Sequence, residues 1–178
     1  MPFDYMTSVK KHFTQYKLMG EKTIEQLNKE DLFWQYNEQS NSIAIIVQHL
    51  WGNMLSRWTN FLTEDGEKPW RERDAEFDTV IKTKEELLTK WKAGWQCLLD
   101  ALDNLTNEDL GKTIYIRTEP LIVIDAINRQ LAHYCSHVGQ IVYLGKMLAG
   151  DQWKSLSIQK GNSKVFNEKM KADFAGKK

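Results

Sequence analysis

Four segments of this chain repeat their apolar residues at the period of an α-helix, and polar, aperiodic stretches separate them. The prolines respect that division. There are three, Pro2, Pro69 and Pro120, and the two internal ones fall in connections. The pattern predicts an all-α fold. The first helix spans about Tyr5 to Leu27 and ends in the polar run Asn28 to Asp31. The second spans about Ser42 to Leu62, with Ser40 or Asn41 placed to cap its free N–H groups. The third starts near Thr83, where Thr83-Lys84-Glu85-Glu86 reads as a capping box, and runs to about Leu102. The fourth starts just after Pro120 and runs to about Ala149, with Gly150 as a stop.

The remaining stretches are less regular. Thr113 to Ile116 is β-branched and aromatic but has no obvious partner strand, so it reads as an extended connection. Residues 63–82 are charged and aperiodic, and a loop of that length is either functional or a crossing from one end of the fold to the other. Residues 1–150 read as one domain. Residues 151–178 read as a polar, basic tail. Its first part, Trp153 to Phe166, carries enough apolar residues to dock, and its end frays. Residues 26–32 and 104–110 echo each other, which fits either two related helix pairs or merely similar acidic helix ends.

Charge narrows the function classes. Lys plus Arg and Asp plus Glu both number 24, so nothing suggests a nucleic-acid or an anionic-membrane partner. No run approaches the roughly 18 apolar residues of a membrane span, and the N-terminus has no apolar core of a secretory signal. Cys97 and Cys135 sit inside helical segments without a pairing pattern, which suits a cytoplasmic protein. Seven tryptophans call for heavy core anchors or a surface buried against a partner.

The chemistry concentrates in four histidines, His12, His49, His133 and His137. His133 and His137 are one helical turn apart, so two imidazoles can take two corners of one ion. The spacing alone equally describes two half-exposed helix histidines. On its helix the pair flanks an apolar stripe of Ile127, Leu131, Tyr134, Val138 and Gly145, where a cleft would lie. His49 borders the stripe of the second helix, in a polar row with Ser42, Asn53, Ser56 and Asn60. Three imidazoles with open positions describe a catalytic rather than a closed structural ion site. Asn53, Arg57 and Gln130 lie one or two turns from these histidines. They are candidates to orient a substrate or to support a ligand, and ordinary surface positions otherwise. Cys135 falls nearer the apolar stripe and reads as a small core residue. His12 reads as a surface residue or a more distant supporting group. No Asp or Glu lies within a turn of His49, His133 or His137, so the sequence offers no general base.

A histidine midway along the second helix, with H-x-x-x-H in the fourth, resembles the DinB-like superfamily. The run NRQLAHYCSHVGQIVYL, Asn128 to Leu144, looks like the signature of an uncharacterised bacterial branch. Gln48 to Asn53 and Trp153 to Ile158 resemble the same branch. The resemblance implies a four-helix bundle with a long crossover, a divalent metal (zinc or nickel) on His49, His133 and His137, and a homodimer. Relatives include thiol-dependent S-transferases and proteins described as metal-dependent hydrolases, so a small-molecule substrate or thiol cofactor is a further expectation. Three readings stay open: a metal-dependent enzyme, a non-catalytic metal-binding or interaction module, and a metal-free structural dimer.

Overall fold

The computed structural model describes residues 4–78 and 81–175. It is mostly helical, 66% of it in helices. Helix α1 spans Tyr5–Glu25, α2 Lys29–Phe33, α3 Ile43–Trp58, α4 Lys84–Asp103, α5 Val123–Ala149 and α6 Ser163–Phe174. The capping chemistry explains the starts. Asp4 accepts from the Met6 N–H. Thr83 and Glu86 form the expected capping box of α4. At α3 the cap is Ser42 itself, which accepts from the Ile45 N–H, rather than Ser40 or Asn41. Helix α3 stops at Trp58, four residues short of the expected Leu62, and Asn60 just beyond it has left-handed φ of 51°.

Helix α3 packs along α4, α1 packs along α5, and α3 also touches α5. Phe13, Leu50, Met54, Trp91, Trp95, Leu98, Tyr134 and Val138 fill the centre. The tryptophans divide by burial, and three of them are the expected core anchors. Trp58, Trp91 and Trp95 are buried, whereas Trp34 and Trp70 are exposed. The tail is tied to α1 by Gln26, whose Oε1 accepts from the Lys154 N–H at 2.7 Å and whose Nε2 donates to the Lys154 carbonyl at 3.3 Å. Helix α6 buries none of its residues. Among the described residues no helix is long and apolar enough to cross a membrane.

The extended piece does have a partner. Thr113–Ile116 pairs antiparallel with Glu119–Ile122, in the register Thr113 to Ile122 and Ile116 to Glu119. This corrects the reading of an unpaired connection. The signal was hidden because the second strand carries Pro120 and the turn lacks the usual Asn-Gly. Arg117 and Thr118 both take positive φ, 56° and 64°. The Asp65 carboxylate holds them there, accepting from both backbone N–H groups at 2.8 Å.

Helices α1 and α4 approach closely where Gly20 meets Trp91. A Cβ on Gly20 would overlap the buried indole ring. Gly20→Ala should therefore lower the unfolding free energy by about 1–3 kcal/mol, the usual cost of overpacking a full core. Urea unfolding checks this. A gain approaching ~1 kcal/mol, the helix-propensity advantage of Ala over Gly, would show that the indole yields freely.

Candidate metal centre

The contact of α3 with α5 brings three histidines together. His49 of α3 is 4% exposed, and His133 and His137 of α5 are half-buried. His133 Nε2 lies 3.3 Å from His49 Nε2 and 3.1 Å from His137 Nε2. One ligand atom from each residue lies within 4.8 Å of the others. Nitrogens arranged tetrahedrally about an ion at ~2.0–2.1 Å stand about 3.3 Å apart, so the donor set fits.

The outer nitrogens decide where the lone pairs point. His49 Nδ1 donates to Glu76 Oε2 at 2.9 Å, because a carboxylate can only accept. His137 Nδ1 donates to Gln140 Oε1 at 3.0 Å. With Nδ1 carrying the proton in each, both rings aim an Nε2 lone pair inward. His133 Nε2 faces both and can donate to only one of them. One pair of lone pairs is then left in opposition unless a cation sits between them.

Electrostatics agree. Burial, then the neighbouring His137, His49, Arg57 and Arg71 charges, push the His133 imidazole down to about 3. Burial and the nearby His49 also lower His137. All of these effects oppose protonation and leave neutral nitrogens free to ligate. Burial raises the Glu76 carboxyl, but hydrogen bonds from His49 and Arg71 outweigh it and hold the group below its ordinary range.

Glu76 is the residue that sequence reasoning missed. It sits in a single turn of 3₁₀ helix, Asp74–Phe77, inside the long connection between α3 and α4. Arg71 donates to Glu76 Oε1 at 2.7 Å through Nε and to Oε2 at 2.9 Å through a terminal nitrogen. Phe77 stacks on the His49 ring with centroids 5.0 Å apart. The Gln48 amide fastens the same turn. Its Nε2 donates to the Ala75, Glu76 and Asp78 carbonyls, and its Oε1 accepts from the Ile81 N–H. One signal was available: Gly52 inside α3, one turn from His49, where a Cβ would overlap the Glu76 carboxylate.

The other candidates fall as follows. Asn53 Oδ1 accepts from the Tyr134 hydroxyl at 2.9 Å, and that oxygen accepts from Trp58 Nε1 at 3.0 Å. Asn53 thus joins α3 to the residue beside His133. Arg57 is buried and donates to the Gly66 carbonyl and to Glu67 Oε2, holding the long connection. Gln130 is buried, and its Oε1 has no hydrogen-bond partner among the described residues. His12 is exposed on α1, outside the histidine group. Cys135 is half-buried, with its thiol pushed up by burial, and it too lies outside the group.

A family model of DUF1572, described as a protein of unknown function, matches residues 1–162. The chain belongs to that family. No curated protein matches it. The DUF1572 region therefore contains all three histidines, Glu76 and Arg71, while α6 lies beyond it.

The depressed histidines set a pH dependence. His133 falls from an ordinary 6.5 to about 3 on folding, so between those values the unfolded chain binds more protons. Stability of metal-free protein should fall as pH is lowered through that window. Melting temperatures at several pH values between 7 and 5 check it. His133→Gln should flatten the slope, and an equal slope in that variant would contradict the assignment.

Proposed function

We propose that this DUF1572 chain is a divalent-metal-binding protein of the DinB-like four-helix-bundle type. Residues 1–150 would form the metal-binding domain, with the α3–α4 connection as its long crossover. His49, His133 and His137 would hold the ion, zinc or nickel as the DinB-like resemblance implies, and imidazole nitrogens suit both. The observation that carries this reading is the meeting of His133 Nε2 with the Nε2 atoms of both His49 and His137, which leaves lone pairs opposed unless a cation sits between them. Among the described residues no fourth histidine, cysteine or carboxylate joins the group, which supports open positions on the ion.

The enzymatic form of this reading is a hydrolase or a thiol S-transferase acting on a small molecule. A bound ion would supply Lewis acidity, favouring the deprotonated form of a water or thiol beside it. The chain's own residues do the rest. Glu76 holds the His49 proton on Nδ1, Arg71 neutralises Glu76, and Phe77 covers one face of the imidazole. The free thiols of Cys97 and Cys135 suit a reducing, cytoplasmic setting.

A second reading, a non-catalytic metal-binding module or a dimeric interaction module, has its own support. Both Glu76 oxygens are engaged by Arg71, so the one carboxylate near the histidines is poorly placed to take a substrate proton. Exposed Tyr143 and Met147 on α5 offer apolar surface to a second copy.

Protein purified without a histidine tag should carry about one zinc or nickel per chain. His133→Ala should lose it. Elemental analysis of both checks the shared premise. Wild type that takes up neither metal after reconstitution would contradict the enzyme and the metal-binding module, and leave only the dimeric interaction module. Turnover of a thiol cofactor or a simple ester by the loaded protein, lost in His133→Ala, would select the enzyme.

A further inference from the structure

Two adjacent residues of α3 hold the Asp74–Phe77 turn of the long connection. Gln48 grips its backbone, and His49 takes its Glu76 side chain. The surface of α3 is hollowed at Gly52 to admit that carboxylate. The Arg71 side chain is 2% exposed and spends two of its nitrogens on Glu76. Its third nitrogen, Nη1, is buried with no hydrogen-bond partner among the described residues and stands 4.0 Å from Glu67 Oε2. Burying a carboxylate and a guanidinium this way is a poor route to stability, because apolar residues of similar volume commonly do as well or better. The arrangement makes sense through what it does to His49. A carboxylate on Nδ1 fixes the tautomer and the ring orientation, so Nε2 meets the other two histidines with its lone pair. The opposite tautomer would present a proton there and repel a cation.

On the metal-binding reading above, we propose that Glu76 is a positioning residue that links seating of the α3–α4 connection to ion binding at His49, His133 and His137. The link is reciprocal by thermodynamic necessity. Whatever the seated connection adds to ion affinity, the ion adds to seating. The connection's hold on α3 combines hydrogen bonds from Gln48, His49, Ser56 and Arg57 with the stacking of Phe77 on the His49 ring.

Zinc is the probe, with affinity read by competition against a chromophoric chelator. Glu76→Ala should weaken zinc by ~10–100-fold, the usual effect of removing a ligand's supporting partner. Glu76→Gln, which can still accept from Nδ1 but without charge, should fall between Glu76→Ala and wild type. A merely structural Glu76 would lower the melting temperature and leave the affinity of the folded protein unchanged. Amide exchange on the wild-type chain tests the same link without any variant at Glu76. Zinc should slow exchange across residues 71–78 in wild type and leave it unaltered in His133→Ala. Unchanged zinc affinity in both Glu76 variants overturns the link, as does exchange across 71–78 that ignores bound zinc. Wild type that binds no zinc or nickel overturns the metal reading itself, a distinguishable failure.

Discussion

The buried hydrogen bond from His49 to Glu76 is the point on which the organisation of this molecule turns. It joins the core helix α3 to a long connection whose described residues form no regular structure apart from one short turn. On one side it sets the direction of an imidazole lone pair. On the other it holds Arg71, a buried cation whose other carboxylate neighbour, Glu67, stands 4.0 Å away. Remove the Glu76 carboxylate, and Arg71 keeps only that distant counter-charge while the His49 ring loses its Nδ1 partner. The cost of an uncompensated buried charge is several kcal/mol, far above that of a lost surface ion pair.

Convergence of the histidines also needs the helices in register. A chain of hydrogen bonds runs from Trp58 to Tyr134 to Asn53, all of them buried. Tyr134 follows His133 on α5, and Asn53 lies one turn beyond His49 on α3. This network therefore fixes α5 against α3 at the height where the imidazoles meet. Arg57, a turn further on, secures the start of the connection at Gly66. The polar row along α3 thus serves three neighbours: the tyrosine of α5, the connection and the ion site.

Much of this was legible in the sequence because helices announce themselves by local period. The ranges of α1, α4 and α5 follow closely from apolar spacing, a capping box and a stopping glycine, whereas α3 takes Ser42 as its cap and ends four residues before the expected Leu62. The three histidines emerged because each could be placed on its helix. Contacts outside any period were not legible. Glu76 lies 27 residues after His49, within a charged stretch that shows no repeat, and the one local hint, Gly52 in α3, marks a close approach without naming what approaches. The hairpin escaped for a related reason: Pro120 disguised its second strand, and Arg117-Thr118 took the place of a recognisable turn pair. Asn53 and Arg57 were found by position but serve more than a polar border, since both tie α3 to its neighbours.

The central claim is that three imidazoles share one divalent ion. X-ray absorption at the zinc or nickel edge tests it most directly. The account predicts about three imidazole nitrogens at ~2.0–2.1 Å, with the multiple scattering of intact rings. A first shell dominated by sulfur or carboxylate oxygen, without imidazole scattering, would contradict it.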